Sequence, residues 1–134
     1  MTRLATLAVL LALAALPAHA AGYWSELAAR ISAEVAKAEE HALAGRVDDA
    51  KKAVTAAYFG LFESEKMEAA IRTEIGAKHA AQREKLFGDL RKLAARGTPE
   101  EIRAATAQLR AGLAEDAAAL DKAGIPADVF AVNQ

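Results

Sequence analysis

Apolar side chains recur at spacings of three and four along most of this chain, and no stretch alternates apolar and polar residues with a period of two. That spacing places apolar residues on one face of an α-helix, whereas alternation would place them on one face of a strand. Alanine, leucine, lysine, arginine and glutamate dominate the composition, and all five are strong helix formers. The sequence therefore predicts an all-α protein.

The clearest apolar stripes belong to the first and last predicted helices. The first spans about residues 25–44, with Ser25 as its N-cap and Gly45 ending it. Its stripe comprises Trp24, Leu27, Ile31, Val35, Ala38 and Ala42. The last helix begins at Thr98-Pro99-Glu100-Glu101, a capping box with proline at the first helical position, and Gly124 closes it. Its stripe comprises Ile102, Thr106, Leu109, Leu113, Ala117 and Leu120.

Two glycines, Gly60 and Gly76, could each interrupt the middle of the chain. A break at Gly76 gives helices over about 48–75, N-capped by Asp48, and 77–95, whereas a break at Gly60 gives a short helix and a very long one. Because helices of matched length pack better in a bundle, we predict the turn at Gly76 and a kink or close approach at Gly60. Short loops between these helices predict an antiparallel, up-down-up-down four-helix bundle.

The N-terminus has the pattern of a cleavable export signal. An uninterrupted apolar run, Leu4–Leu16, follows one positive charge and precedes the small-x-small pattern Ala18-His19-Ala20. This pattern predicts a signal peptide over residues 1–20, cleaved after Ala20, and a periplasmic protein. The remaining chain divides into a helical domain over 21–124 and a C-terminal tail over 125–134.

Several kinds of chemistry are disfavoured by residues that the sequence lacks. Cysteine is absent, which excludes covalent haem attachment and iron–sulfur clusters, and the formal charge of −1 argues against nucleic-acid binding. Glu-x-x-His, His-Glu-x-x-His, a phosphate-binding glycine loop and a nucleophile elbow are also absent, so we expect no enzyme. Met67 and His79 lie too close to one predicted turn to be opposite haem ligands, and we expect no haem. We expect no stable membrane insertion, since no later segment is apolar enough.

Glutamates are concentrated in AYFGLFESEKMEAAIR, residues 57–72. On a helix, Glu65 and Glu68 share one face and Glu63 lies to one side of it. Carboxylate oxygens bind hard cations such as iron. A turn at Gly76 would bring His79, on the buried face of the next helix, near these carboxylates. The predicted metal ligands are Glu63, Glu65, Glu68 and His79.

The same residues also allow an ordinary structural interpretation. Glu68 and Arg72 have the spacing of a surface ion pair. A histidine on a buried face more often has a protein partner than a metal. The aromatic residues Tyr58, Phe59 and Phe62 are better explained as core than as cofactor contacts.

Two segments resemble a known family. GRVDDAKKAVTAAYFGLFESEKMEAAIR (Gly45–Arg72) and QREKLFGDLRKL (Gln82–Leu93) are similar to the extracytoplasmic region that precedes the membrane helices of bacterial iron permeases of the iron/lead transporter family. The shared pattern runs from an aspartate-rich helix start through Ala-Tyr-Phe-x-x-Phe-Glu to Met-Glu-x-x-Ile-Arg. The matching positions are Tyr58, Phe62, Glu63, Met67 and Glu68, of which Glu63 and Glu68 would face the metal.

The resemblance implies a stand-alone version of the permease's external module. The chain shows neither the permease's membrane helices nor its Arg-Glu-x-x-Glu motif, which Arg83–Phe87 only begins to match. The implied function is a periplasmic, non-enzymatic helper that binds iron or another divalent cation weakly and hands it to a membrane permease or another periplasmic uptake component. The alternative is a metal-independent interaction or chaperone-like helical module.

Overall fold

The computed structural model describes residues 22–128, and within them every regular element is helical. The all-α prediction is therefore confirmed. The predicted signal peptide over residues 1–20 and the end of the tail, 129–134, lie outside the described residues. The elements are α1 (Tyr23–Leu43), α2 (Val47–Ala57), a π-helical segment (Tyr58–Glu63), α3 (Met67–Glu74), α4 (Ala77–Arg96) and α5 (Pro99–Lys122). No helix between residues 22 and 128 has a run long and apolar enough to cross a membrane.

The helices pack around α1, which lies against α2 on one side and α5 on the other, while α4 packs on α5, α3 and α2. The stripes predicted for the first and last helices are confirmed, because all twelve residues are buried. The largest fully buried side chains in this core include Trp24, Phe62, Leu27, Ile31, Met67, Ile71, Leu90, Leu109, Leu113 and Leu120. A smaller cluster comprises Ala42, Ala50, Ala94 and Ile102.

Helix α1 is capped by a residue from the far end of the chain. It begins at Tyr23 after Gly22, so the prediction of Ser25 as its N-cap is wrong. The carboxylate of Asp121 accepts hydrogen bonds from the backbone N–H groups of Trp24 and Ser25, at 3.0 and 2.9 Å. An acid at this position satisfies free N–H groups and complements the positive end of the helix dipole.

Other helix ends combine confirmed and corrected predictions. The Thr98 capping box is present, and the turn between α3 and α4 lies at Gly76, whose φ of +146° favours glycine. Asp48 is not an N-cap, because α2 begins after Arg46 and places Asp48 in its first turn. There its charge still favours the helix N-terminus.

The prediction of one helix over residues 48–75 is wrong. Helix α2 passes into the π-helical segment, and a turn with Lys66 in the left-handed region, at a φ of 69°, separates that segment from α3. The hydroxyl of Ser64 donates to the carbonyl oxygen of Gly60 at 2.6 Å, where the regular ladder is disrupted. Gly60 makes no close approach, because a Cβ added there would meet nothing within 4 Å.

The π-helical segment changes which aromatic residues are buried. Its wider i→i+5 turn shifts the side chains that follow relative to an α-helical register. Phe62 is fully buried and Tyr58 is half-buried, as expected for core residues, but Phe59 is 57% exposed. The prediction that Phe59 belongs to the core is therefore wrong.

Candidate functional site

Two glutamates from different helices meet at one arginine. Glu68 on α3 and Glu84 on α4 both accept hydrogen bonds from the Nη2 atom of Arg72, at 2.6 and 3.1 Å. The Tyr58 hydroxyl donates to the other oxygen of Glu68 at 3.5 Å. We call Tyr58, Glu68, Arg72 and Glu84 the acidic cluster. The two carboxylates therefore share the positive charge of one guanidinium group.

The two carboxylates of the acidic cluster have opposite pKa shifts. Burial would raise the pKa of Glu68, but the hydrogen bond and charge of Arg72 outweigh it and hold that pKa below its ordinary value. The pKa of Glu84 is raised, first by its hydrogen bond with Glu68 and then by burial. Of the two carboxylates, Glu84 is therefore the one that takes up a proton first as the pH falls.

The pKa of the Tyr58 hydroxyl is raised to about 12, first by burial and then by the charges of Glu68 and Glu84. The folded protein thus holds this proton more tightly than the unfolded chain. The resulting contribution to stability is present below the ordinary pKa of 10 and is lost as the pH rises to about 12. At neutral pH the hydroxyl stays a hydrogen-bond donor that fixes the Glu68 carboxylate.

We expect Glu68→Gln to lower the pKa of Tyr58, because the substitution removes the nearest negative charge. Tyr23 is the second tyrosine, so the titration is followed by tyrosinate absorbance in a Tyr23→Phe background. Glu65→Gln is the matched control, since Glu65 accepts its hydrogen bond from Tyr23. A parent protein whose Tyr58 titrates at its ordinary pKa would contradict the described cluster.

The predicted metal ligands lie in different surroundings. Glu63 is exposed and lines the same cleft as Glu68, a depression of about 510 Å³ that also includes Arg72 and Thr73. Glu65 does not line that cleft and accepts a hydrogen bond from the Tyr23 hydroxyl on α1 at 3.1 Å. Between residues 22 and 128 there is no group of three or more histidine or acidic side chains arranged to hold a metal ion. The structure therefore brings together only Glu63 and Glu68 of the four.

His79 belongs to a separate polar network between α4 and α5. Its Nε2 atom lies 2.6 Å from Oδ1 of Asp116, which is 2% exposed. Arg83 donates through Nε to the other oxygen of Asp116 at 2.7 Å. Gly112 makes room for this guanidinium, because a Cβ there would lie 2.5 Å from the Arg83 Cζ atom. The partner of His79 is thus an aspartate on α5, and not a carboxylate of residues 48–75 as predicted.

Sequence analysis did not single out Glu84, Arg83 or Asp116. A signal for Asp116 was available, because it lies three residues after Leu113 and four before Leu120 on the apolar face of α5. A charge on a buried stripe requires a partner, and Arg83 would have been a candidate. No comparable signal marks Glu84, because its role depends on how α3 and α4 meet across the Gly76 turn.

No family model, no curated protein and no solved structure matches this chain. The resemblance to the external region of iron permeases therefore rests on residues 45–72 and 82–93 alone.

Proposed function

We propose that this protein is a periplasmic, non-enzymatic helper of divalent-metal uptake that captures a cation, most simply iron, at the acidic cluster and hands it to a membrane permease. One observation carries the proposal: Glu68 and Glu84 converge from two helices on a single guanidinium, that of Arg72. A site that holds one cationic group between two carboxylates can exchange that group for a metal ion. Glu63 lines the same cleft as Glu68 and offers a further carboxylate there.

Exchange of the Arg72 guanidinium for a metal ion would not leave a charged group buried without a partner. The Arg72 side chain is 47% exposed, so it can swing into water when a metal ion takes its place. A bound divalent cation favours the ionised form of both carboxylates, so it competes with protonation of Glu84. Tyr58 continues to donate to Glu68 and keeps that ligand in position.

Weak binding suits a protein that must release what it captures. Two carboxylates, with a third at the rim, leave most of the coordination positions of a hard cation to water. Return of Arg72 to the two carboxylates favours release. The affinity should therefore fall as the pH is lowered toward the raised pKa of Glu84, where the proton competes with the metal.

We also propose that the helices form the arms of an antiparallel four-helix bundle, with α2, the π-helical segment and α3 as one interrupted arm. The contacts of α1 with α2 and α5, and of α4 with α5, α3 and α2, support this arrangement. The acidic cluster would then lie where the second arm meets the third.

We expect the double variant Glu68→Gln, Glu84→Gln to weaken ferrous iron binding at least about tenfold, since it removes two negative charges adjacent to the ion. Anoxic calorimetric titration of the purified protein at neutral pH measures the affinity, and circular dichroism checks that helicity is unchanged. Glu74→Gln is the matched control, because Glu74 is exposed at the end of α3 and does not line the cleft. Equal affinities of parent and double variant would contradict the site.

The second candidate is a metal-independent interaction module. The observation that favours it is Phe59, a large aromatic side chain that is 57% exposed beside an open cleft between α2 and α4. A parent protein that binds no divalent cation in the same titration would favour this function over metal transfer.

A further inference from the structure

A long groove runs between the wall formed by residues 48–59 and the wall formed by residues 84–96, and we call it the α2–α4 groove. It consists of three depressions of about 520, 470 and 450 Å³, and Arg91 lines all three. Gly88 lines two of these depressions, and an added Cβ there would meet nothing within 4 Å. The groove adjoins the cleft that contains Glu63, because Tyr58 lines both.

The walls of this groove carry an excess of positive charge. Five cationic side chains line it: Lys51, Lys52, Arg91, Lys92 and Arg96. None of the five forms an ion pair within the part of the chain that the structure describes. The acidic residues lining it are Asp48 and, at the opposite end, Glu84. The whole chain has a formal charge of −1, so this positive surface reflects an uneven distribution of charge.

The end of the groove beyond Arg91 is aromatic. Phe59 stands there 57% exposed, with the ring of Tyr58 behind it at a centroid distance of 4.7 Å. The ring of Phe87 lies 5.3 Å from that of Tyr58 and completes the apolar wall. The π-helical segment directs Phe59 outward, while Phe62 in the same segment is buried.

We propose that the α2–α4 groove docks this protein on an anionic membrane surface. Lipid phosphates would meet the unpaired lysine and arginine side chains, and Phe59 would enter the boundary between headgroups and acyl chains. A helical protein binds such a surface through electrostatic attraction of its cations to anionic lipids and through burial of an apolar side chain, and these two contributions to the affinity add. Tyr58 and Glu84 of the acidic cluster line one end of the groove, but the groups that would contact lipid, Phe59 and the five cations, do not belong to that cluster.

Charge complementarity makes a membrane the favoured occupant. An acidic protein would neutralise the cations, but the lipid surface also gives Phe59 an apolar environment in the same orientation. Each lysine or arginine near an anionic surface changes the affinity about fivefold at moderate salt. Three substitutions should therefore reduce binding on the order of a hundredfold.

Co-sedimentation with vesicles tests the proposal. The purified protein is expected to bind vesicles of mixed phosphatidylglycerol and phosphatidylcholine but not vesicles of pure phosphatidylcholine. High salt should dissociate it from the anionic vesicles. The triple variant Lys51→Gln, Lys52→Gln, Arg91→Gln should lose binding. The matched control Arg103→Gln, Arg110→Gln, Lys122→Gln removes three exposed cations of α5 and should bind as the parent does.

A tryptophan at position 59 reports the contact directly. Phe59→Trp emission should shift to the blue on the anionic vesicles, while buried Trp24 gives a constant background. Absence of parent binding, or equal losses in the two triple variants, would overturn the proposal. So would groove-dependent binding of soluble polyglutamate without any binding of vesicles, because that result would identify a site for acidic proteins. Iron titration of the groove variant should match the parent, so failure of docking and failure of metal capture remain distinguishable.

Discussion

Replacement of Asp116 by alanine is expected to lower the free energy of unfolding by about 3–5 kcal/mol. The carboxylate is 2% exposed and holds both Arg83 and His79, at 2.7 and 2.6 Å. Without it, the Arg83 guanidinium, whose side chain is only 12% exposed, keeps its charge in a poorly hydrated place without its counter-ion. Removing one partner of a buried ion pair is costly for this reason, whatever the net contribution of the intact pair.

Urea denaturation followed by circular dichroism measures this loss. Asp116→Asn keeps the shape of the side chain and should lose less stability. Asp89→Ala is the matched control, because Asp89 pairs with Lys85 on the surface of α4, and such pairs contribute about 0–1 kcal/mol. Gly112→Ala should also destabilise the protein, since the added methyl group would occupy the space of the Arg83 guanidinium. Similar midpoints for Asp116→Ala and Asp89→Ala would show that the network does not hold α4 to α5.

Replacement of Phe62 by alanine is expected to cost about 3–5 kcal/mol. The ring is fully buried in the π-helical segment, and its centroid lies 5.1 Å from that of Phe87 on α4. Its removal loses both the transfer free energy of the ring and the contacts that neighbouring side chains make with it, because a packed core closes only partly around a cavity.

Phe59→Ala is the matched control for this substitution. Phe59 lies three residues earlier in the same segment and is 57% exposed, so its removal should change stability by no more than about 0.5 kcal/mol. Thermal unfolding of the two variants compares them directly. If Phe59→Ala proved as damaging as Phe62→Ala, the burial pattern of the π-helical segment would be wrong.

Elements with a regular period could be predicted from the sequence. The apolar residues of α1 and α5 keep one helical register from end to end, so pattern alone identified their buried faces. Local signals were equally reliable at the Thr98 capping box and at Gly76, because backbone chemistry within a few residues determines them.

Features that depend on tertiary contacts could not be predicted. The π-helical segment inserts a wider turn, and the expectation that aromatic residues belong to the core therefore held for Phe62 but failed for Phe59. The cap of α1 comes from Asp121, almost a hundred residues away in sequence, and no local pattern around Ser25 reveals it. Similarly, the partner of Glu68 across the helices is Glu84, which only the packing of α3 on α4 makes apparent.

Two of the four predicted metal ligands lie in one cleft for a physical reason. Glu63 and Glu68 remain on one side of the chain because they flank the turn between the π-helical segment and α3. Glu65 lies in that turn and is directed to Tyr23 on α1. Of the glutamates within residues 57–72, Glu68 thus shares Arg72 with a second carboxylate, Glu84 on α4, which lies outside that segment.

Paramagnetic broadening by manganese tests most directly whether Glu68 and Glu84 form a cation site. Substoichiometric Mn²⁺ added to isotope-labelled protein at neutral pH should first weaken the amide signals around Glu68, Arg72 and Glu84, and the Glu68→Gln, Glu84→Gln variant should lose that effect. Broadening centred on other acidic residues, or spread evenly over the surface, would contradict the account of this protein as a metal carrier.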